Sequence, residues 1–177
     1  MPPGSLTPGS LAPGLLEPGF LEPGLLTIGY EGCTIDTVLT TLREARVGLL
    51  LDVRAVAASR KPGFSKRQLA AGLDAAGIRY VHLQRLGTPK AGRDAVRAGH
   101  PERMVPIFQA HMETPEAQEA LVQAKRLAGE SRCCLLCFER DHRRCHRRLV
   151  AEMIAAETGQ AVEHLEVPVS RPGTLFP

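Results

Sequence analysis

The chain has no tryptophan, two tyrosines and five phenylalanines, so aromatics make up 4% of it. It therefore lacks an aromatic platform on which nucleic-acid bases would stack, and a core must be built from Leu, Val, Ile and Ala. Excess charge is also lacking. Twenty-two basic residues against 19 acidic ones leave a formal +3, which admits anionic ligands without itself pointing to nucleic acid. No apolar run approaches the roughly 18 residues of a membrane span, so no membrane association is expected. An even, dispersed cysteine set is absent too. The five cysteines are Cys33, Cys133, Cys134, Cys137 and Cys145, an odd and clustered set unlike a secreted disulfide framework. This predicts a reducing, cytoplasmic location. The N-terminus lacks the positive n-region and continuous apolar h-region of a signal peptide.

What stands at the N-terminus is a repeat. Ser5-Leu-Thr-Pro-Gly, Ser10-Leu-Ala-Pro-Gly, Leu15-Leu-Glu-Pro-Gly and Phe20-Leu-Glu-Pro-Gly follow one another every five residues, and Leu25-Leu-Thr-Ile-Gly continues the period. Pro-Gly punctuation opposes helix and strand alike. Residues 1–24 are therefore expected to be a low-complexity, turn-rich extension, followed by a domain at 25–170 and a loose tail at 171–177.

Within that domain apolar strands alternate with helical patterns. Strands are expected at Leu25–Tyr30, Gly48–Val53, Ile78–Leu83, Arg132–Phe138 and Gln160–Val167. Helices are expected from Thr34 to about Arg46, after Ser65, over Pro101–Met112, over Thr114–Ala128 and over Cys145–Glu157, with a basic, Gly-rich connection at Arg85–Gly99. Such alternation predicts a mostly parallel sheet with helices on both faces, a three-layer α/β fold of Rossmann-like or flavodoxin-like type.

The densest stretch runs from Cys133 to Arg148: an apolar strand ending at Glu139, a charged loop with two histidines, then Cys145-His146-Arg147 opening a helix. Ligands of open α/β sheets sit outside the carboxyl ends of strands, and the free N–H groups of a helix's first turn attract anions. Together with Thr27-Ile-Gly-Tyr-Glu-Gly32, Asp52-Val-Arg54, Ser59-Arg60 before Phe64, Tyr80-Val-His-Leu83 and Leu86-Gly87, the segments Leu136-Cys-Phe-Glu139 and Cys145-His-Arg147 resemble the DUF488 family over roughly residues 26–167. The resemblance implies a compact α/β domain found mostly in microbes and leaves its activity open. Thr88 stands where family members often carry a second glycine, which should restrict that loop.

If the strands are parallel, one rim gathers Tyr30, Asp52, Arg54, Arg60, Glu139, Cys145, His146 and Arg147. Arg54, Arg60 and Arg147, with Tyr30 and His146 beside them, are the expected ligand-binding set, because a guanidinium grips phosphate or carboxylate in a fork. The alternative reading of Arg54 is an ion pair with Asp52 or Glu139. Asp52 and Glu139 are the candidate proton-moving pair. Cys145 is either a nucleophile activated by Arg144 and Arg147 or a buried packing residue. Cys137, His142, Cys145 and His146 offer zinc-type donors at a spacing that fits no common zinc pattern, so a metal, in a zinc-stabilised interaction domain, is the weaker reading, and no cofactor is expected. His82 is expected to be a hydrogen-bonded structural histidine.

Two functions follow. One is an anion pocket at the strand ends, taking a small phosphate- or carboxylate-bearing ligand such as a nucleotide-like molecule, in an enzyme of unstated reaction. The other is a non-catalytic module that binds nucleic acid or protein through the basic loop 140–148.

Overall fold

In a computed structural model, residues 22–168 are described. The Pro-Gly repeats and the tail expected at 171–177 lie outside those residues, apart from the last few positions before the first strand. Five strands form one all-parallel sheet: β1 (Gly24–Gly29), β2 (Leu49–Asp52), β3 (Arg79–His82), β4 (Arg132–Cys137) and β5 (Val162–Leu165). Their order is β3-β2-β4-β1-β5. The expected three-layer α/β architecture is present. The order itself differs from the Rossmann and flavodoxin orders, because β4 separates β1 from β2.

Helices α1 (Ile35–Glu44) and α2 (Lys66–Ala75) cover one face. Their Val38, Leu42, Leu69 and Leu73 pack on Leu26, Ile28, Leu50, Cys134 and Leu136. Helices α4 (Met104–Met112), α5 (Pro115–Glu130) and α6 (His146–Thr158) cover the other face, against Leu25, Leu49, Leu51, Cys133 and Leu135. Successive residues of each strand thus serve opposite cores, as the two-residue strand period requires. Both cores are aliphatic, and the continuous apolar runs of β2 and β4 reflect burial on both faces.

Threonine side chains cap two of these helix starts. Thr34 forms a reciprocal capping box with Thr37, and the Thr114 side chain accepts from the Ala117 N–H. Ser65 occupies the N-cap of α2 without a side-chain cap bond. The connection expected at Arg85–Gly99 contains an eight-residue helix, α3 (Lys90–Arg97). Its pattern is nearly invisible in sequence because its one buried residue is Gly92, which admits Thr88, Ile107 and Met104 at close range. Thr88 itself is buried, and its carbonyl accepts from Arg93 Nη1 at 2.6 Å.

Connections from adjacent strands diverge at β4. The chain leaves β1 and β2 toward α1 and α2 on one face, and leaves β4 toward α6 on the other. Crevices therefore open at the carboxyl end of β4, the kind of switch point where α/β sheets hold ligands.

Candidate functional site at the carboxyl end of the sheet

The loops after β1, β2, β3 and β4 do meet. Tyr30 N–H donates to Cys137 O (3.3 Å), Leu83 N–H to Asp52 O (2.9 Å), and Val53 N–H to Leu136 O (3.3 Å). The rim expected to be a single site is nevertheless two sites, because the sheet divides it. Asp52 lies in register with Leu136, so it shares the α1/α2 face with that leucine. Cys137, one residue further on, faces α6.

On the α1/α2 face Asp52 is fully buried and clamps Arg54. Arg54 Nε donates to Oδ1 at 2.8 Å and Nη2 to Oδ2 at 2.6 Å. Arg54 Nη1 donates to Tyr30 Oη and to the Phe64 carbonyl, both at 2.9 Å. Tyr80 Oη donates to Asp52 Oδ2 at 2.7 Å. Tyr30 stacks on Phe64 with ring centroids 4.1 Å apart. His82 Nε2 lies 2.9 Å from the Arg54 carbonyl, the structural role expected of it. Burial opposes the charge of Arg54, but Asp52 outweighs it and holds the guanidinium above its ordinary value. Burial, with the Asp52 hydrogen bond, raises Tyr80 likewise. The sequence left Arg54 open between ligand and ion pair, and the structure makes it an ion pair. Asp52, Arg54 and Tyr30 are held inside the protein by this network, and none of them lines the cleft described below. Arg60 is exposed and joins neither site.

On the α6 face Cys137, Glu139, Cys145 and His146 converge. Both thiols point at one oxygen: Cys137 Sγ to Glu139 Oε2 is 3.0 Å and Cys145 Sγ to the same atom is 2.9 Å. His146 Nδ1 lies 3.8 Å from Cys137 Sγ and 4.0 Å from Cys145 Sγ. Its Nε2 lies 2.8 Å from the Val53 carbonyl. Burial opposes the charge on Glu139, yet the two thiols hold its carboxyl below the usual range. Burial pushes the Cys145 thiol well up, the reverse of what a nucleophilic thiolate needs. His142, the fourth metal donor considered from the sequence, instead stacks on His164 with centroids 3.6 Å apart. Glu139 takes its place. The signal for this was the strand alternation, which puts Cys137 on the α6 side.

Beside this cluster a cleft of about 630 Å³ opens over the ends of β1 and β5, lined among others by Glu31, Arg140, His142, Arg143, Arg147 and His164. Arg147 is 1% exposed. It donates from Nη1 to the Glu139 carbonyl and from Nη2 to the Arg140 carbonyl, while its Nε has no partner among the described residues. Gly29 makes the turn at 139–140 possible: a Cβ there would stand 1.9 Å from the Glu139 carbonyl oxygen. Sequence reasoning missed His164, which arrives on β5 and accepts from or donates to Thr27 Oγ1 at 2.7 Å.

Fold and rim together define a parallel α/β domain whose polar groups gather where the crossovers diverge. The family described as "Domain of unknown function DUF488" matches residues 34–154. The chain belongs to that family. No curated protein and no solved structure matches it. No described helix is long and apolar enough to cross a membrane.

Proposed function

We propose that this domain binds a small phosphate- or carboxylate-bearing molecule in the cleft at the carboxyl ends of β4, β1 and β5. The observation that carries the reading is Arg147. Its guanidinium is buried, lines the cleft, and has no carboxylate within ion-pair distance among the described residues. A buried charge without a counter-charge costs several kcal/mol, and a bound anion offsets that cost. Arg140, Arg143 and His142 stand around the same cleft. Its volume suits a ligand of nucleotide size.

The alternative, a nucleic-acid- or protein-binding surface on loop 140–148, draws less support. Arg140 is tied to the Val167 carbonyl, Arg143 to Asp141, and Arg148 to Glu152, while Arg147 is inside. Arg144 alone of the five is exposed with no side-chain partner among the described residues. A phosphate-backbone binder needs several free cations acting together. Recognition, rather than proton transfer, is what the geometry favours, since Glu139 and Cys145 turn toward each other and neither lines the cleft.

Titration of the protein with inorganic phosphate, followed through backbone amide resonances, tests this. Saturable shifts at residues 140–147 are expected. Arg147→Gln should weaken binding at least tenfold, and Arg147→Lys should fall between, because it keeps the charge and loses the fork. Equal affinity in wild type and Arg147→Gln would overturn the reading. Affinity for an oligonucleotide that collapses steeply with salt and falls with each of Arg140, Arg143 and Arg144 would favour the alternative.

A further inference from the structure

We propose that Cys137, Glu139, Cys145 and His146 form a binding site for a zinc-type divalent cation, separate from the anion cleft. One donor atom from each of the four lies within 4.8 Å of all the others. Around a tetrahedral zinc with bonds of about 2.0–2.3 Å, donor atoms stand roughly 3.3–3.8 Å apart. The contacts of 2.9, 3.0, 3.8 and 4.0 Å between these atoms straddle that range. Small side-chain movements bring all four onto one centre.

The donor chemistry selects the ion. Two thiolates and an imidazole favour zinc and similar soft or borderline cations over magnesium or calcium. The Glu139 carboxylate supplies the fourth ligand. Without a cation this carboxylate, partly buried, is satisfied at one oxygen by two S–H groups, which are weak donors. Two sulfurs and an imidazole nitrogen gathered about one carboxylate oxygen are the donor set that a zinc-type cation takes.

The histidine carries the second observation. A carbonyl only accepts, so the 2.8 Å contact with Val53 O requires the hydrogen to be on Nε2. In the neutral ring that leaves the lone pair on Nδ1, the atom aimed at the two sulfurs. A ligating histidine held by a backbone carbonyl through its other nitrogen is the usual outer-shell arrangement. Phe108 packs against the same ring with centroids 5.4 Å apart, closing the apolar side.

Four protein ligands leave no open position, so the ion is structural rather than catalytic. It ties the end of β4 to the start of α6, and through His146 to β2. Each thiol gives its proton to solvent as its sulfur binds the ion, and no oxidation is involved. None of the four residues lines the cleft, and metal content is read with no anion present. Failure of phosphate binding therefore leaves this proposal standing, and the converse holds.

The test uses the full chain, purified under reducing conditions, stripped with chelator, reloaded with zinc and desalted. One zinc per chain is expected by elemental analysis, with a higher melting temperature for the loaded protein. Cobalt(II) in place of zinc should give a thiolate-to-cobalt charge-transfer band and intense visible bands of a tetrahedral site. Cys137→Ser and Cys145→Ser should each cut retained zinc well below one per chain, while Cys33→Ala, outside the cluster, retains it. Absence of retained zinc together with absence of a cobalt–thiolate band in the wild-type protein overturns the proposal, whether or not the variants fold. Zinc retained equally by Cys137→Ser, Cys145→Ser and wild type overturns it as well.

Discussion

Asp52 and Arg54, two residues apart at the end of β2, form a bidentate ion pair inside the protein, with Nε–Oδ1 at 2.8 Å and Nη2–Oδ2 at 2.6 Å. The two are 0% and 5% exposed. Tyr30, Phe64 and Tyr80 complete their hydrogen bonds, so the pair locks the loops after β1 and β2 to strand β3. Breaking it from one side leaves the other charge buried and alone. Asp52→Asn is expected to cost about 3–5 kcal/mol, read as a fall in urea midpoint at unchanged slope. The double change Asp52→Asn with Arg54→Met should cost less than the sum of the single ones. Phosphate affinity of the folded variant is expected to stay within a factor of two of wild type. A tenfold loss would mean that Arg54 reaches the ligand.

Gly29 carries the turn at Glu139–Arg140. Its missing side chain would meet the Glu139 carbonyl oxygen at 1.9 Å, while at Gly48 the nearest atom is Arg132 O at 3.9 Å. Gly29→Ala must therefore push a backbone segment that Arg147 also holds, with an expected loss of about 1–3 kcal/mol. Gly48→Ala should be nearly neutral. Gly129, exposed near the end of α5 with open space around it, should gain up to about 1 kcal/mol on change to alanine. Thermal or urea unfolding of the three variants ranks them. Equal effects would dismiss the close approach at Gly29.

Alkaline pH should destabilise the fold through groups kept neutral inside it. Burial pushes the Cys133 thiol up to about 12 and Cys134 well above its ordinary value. An unfolded chain gives up thiol protons near about pH 8.5, while the native chain keeps them. The unfolded state then binds fewer protons, so stability is full below that pH and falls as pH rises through the window up to the native values. Tyr80, raised by burial and by Asp52, adds the same sign from about pH 10 upward. Urea midpoints between pH 8 and 11 should decline, less steeply in Tyr80→Phe. Cys133 and Cys134 should resist iodoacetamide in the native protein and react once it unfolds.

His164 offers a readout of the cleft. Burial, then the neighbouring His142 and Arg147, lower its pKa. With the native value below the unfolded one of about 6.5, its share of stability is present above that pH and is lost as pH falls through the native value. A bound anion favours the charged ring. Phosphate is therefore expected to raise the His164 value in a histidine NMR titration. An unmoved His164 at saturating phosphate would put the anion elsewhere.

The local pattern of the chain was enough to establish much of this molecule. Apolar runs flanked by polar caps determined the strands and most helices, since burial on both faces demands continuous Leu and Cys in β2 and β4, and Thr34 and Thr114 satisfy helix N–H groups wherever the chain goes next. Parallel strands put the chemistry-bearing residues at one edge, so Asp52, Arg54, Glu139, Cys145, His146 and Arg147 stood out before any contact was known. Tertiary structure alone decided which of them meet. The register of β2 on β4 turned Asp52 and Cys137 to opposite faces and split one expected rim into an ion pair and a thiol–carboxylate–imidazole cluster. The pairing of β5 with β1, which sets His164 in register with Thr27, brought His164 to the cleft from the far end of the chain. The burial of Arg147 without a carboxylate came from the turn that Gly29 allows. Register, strand order and burial are relations between segments distant in sequence, and no local run of residues encodes them by itself.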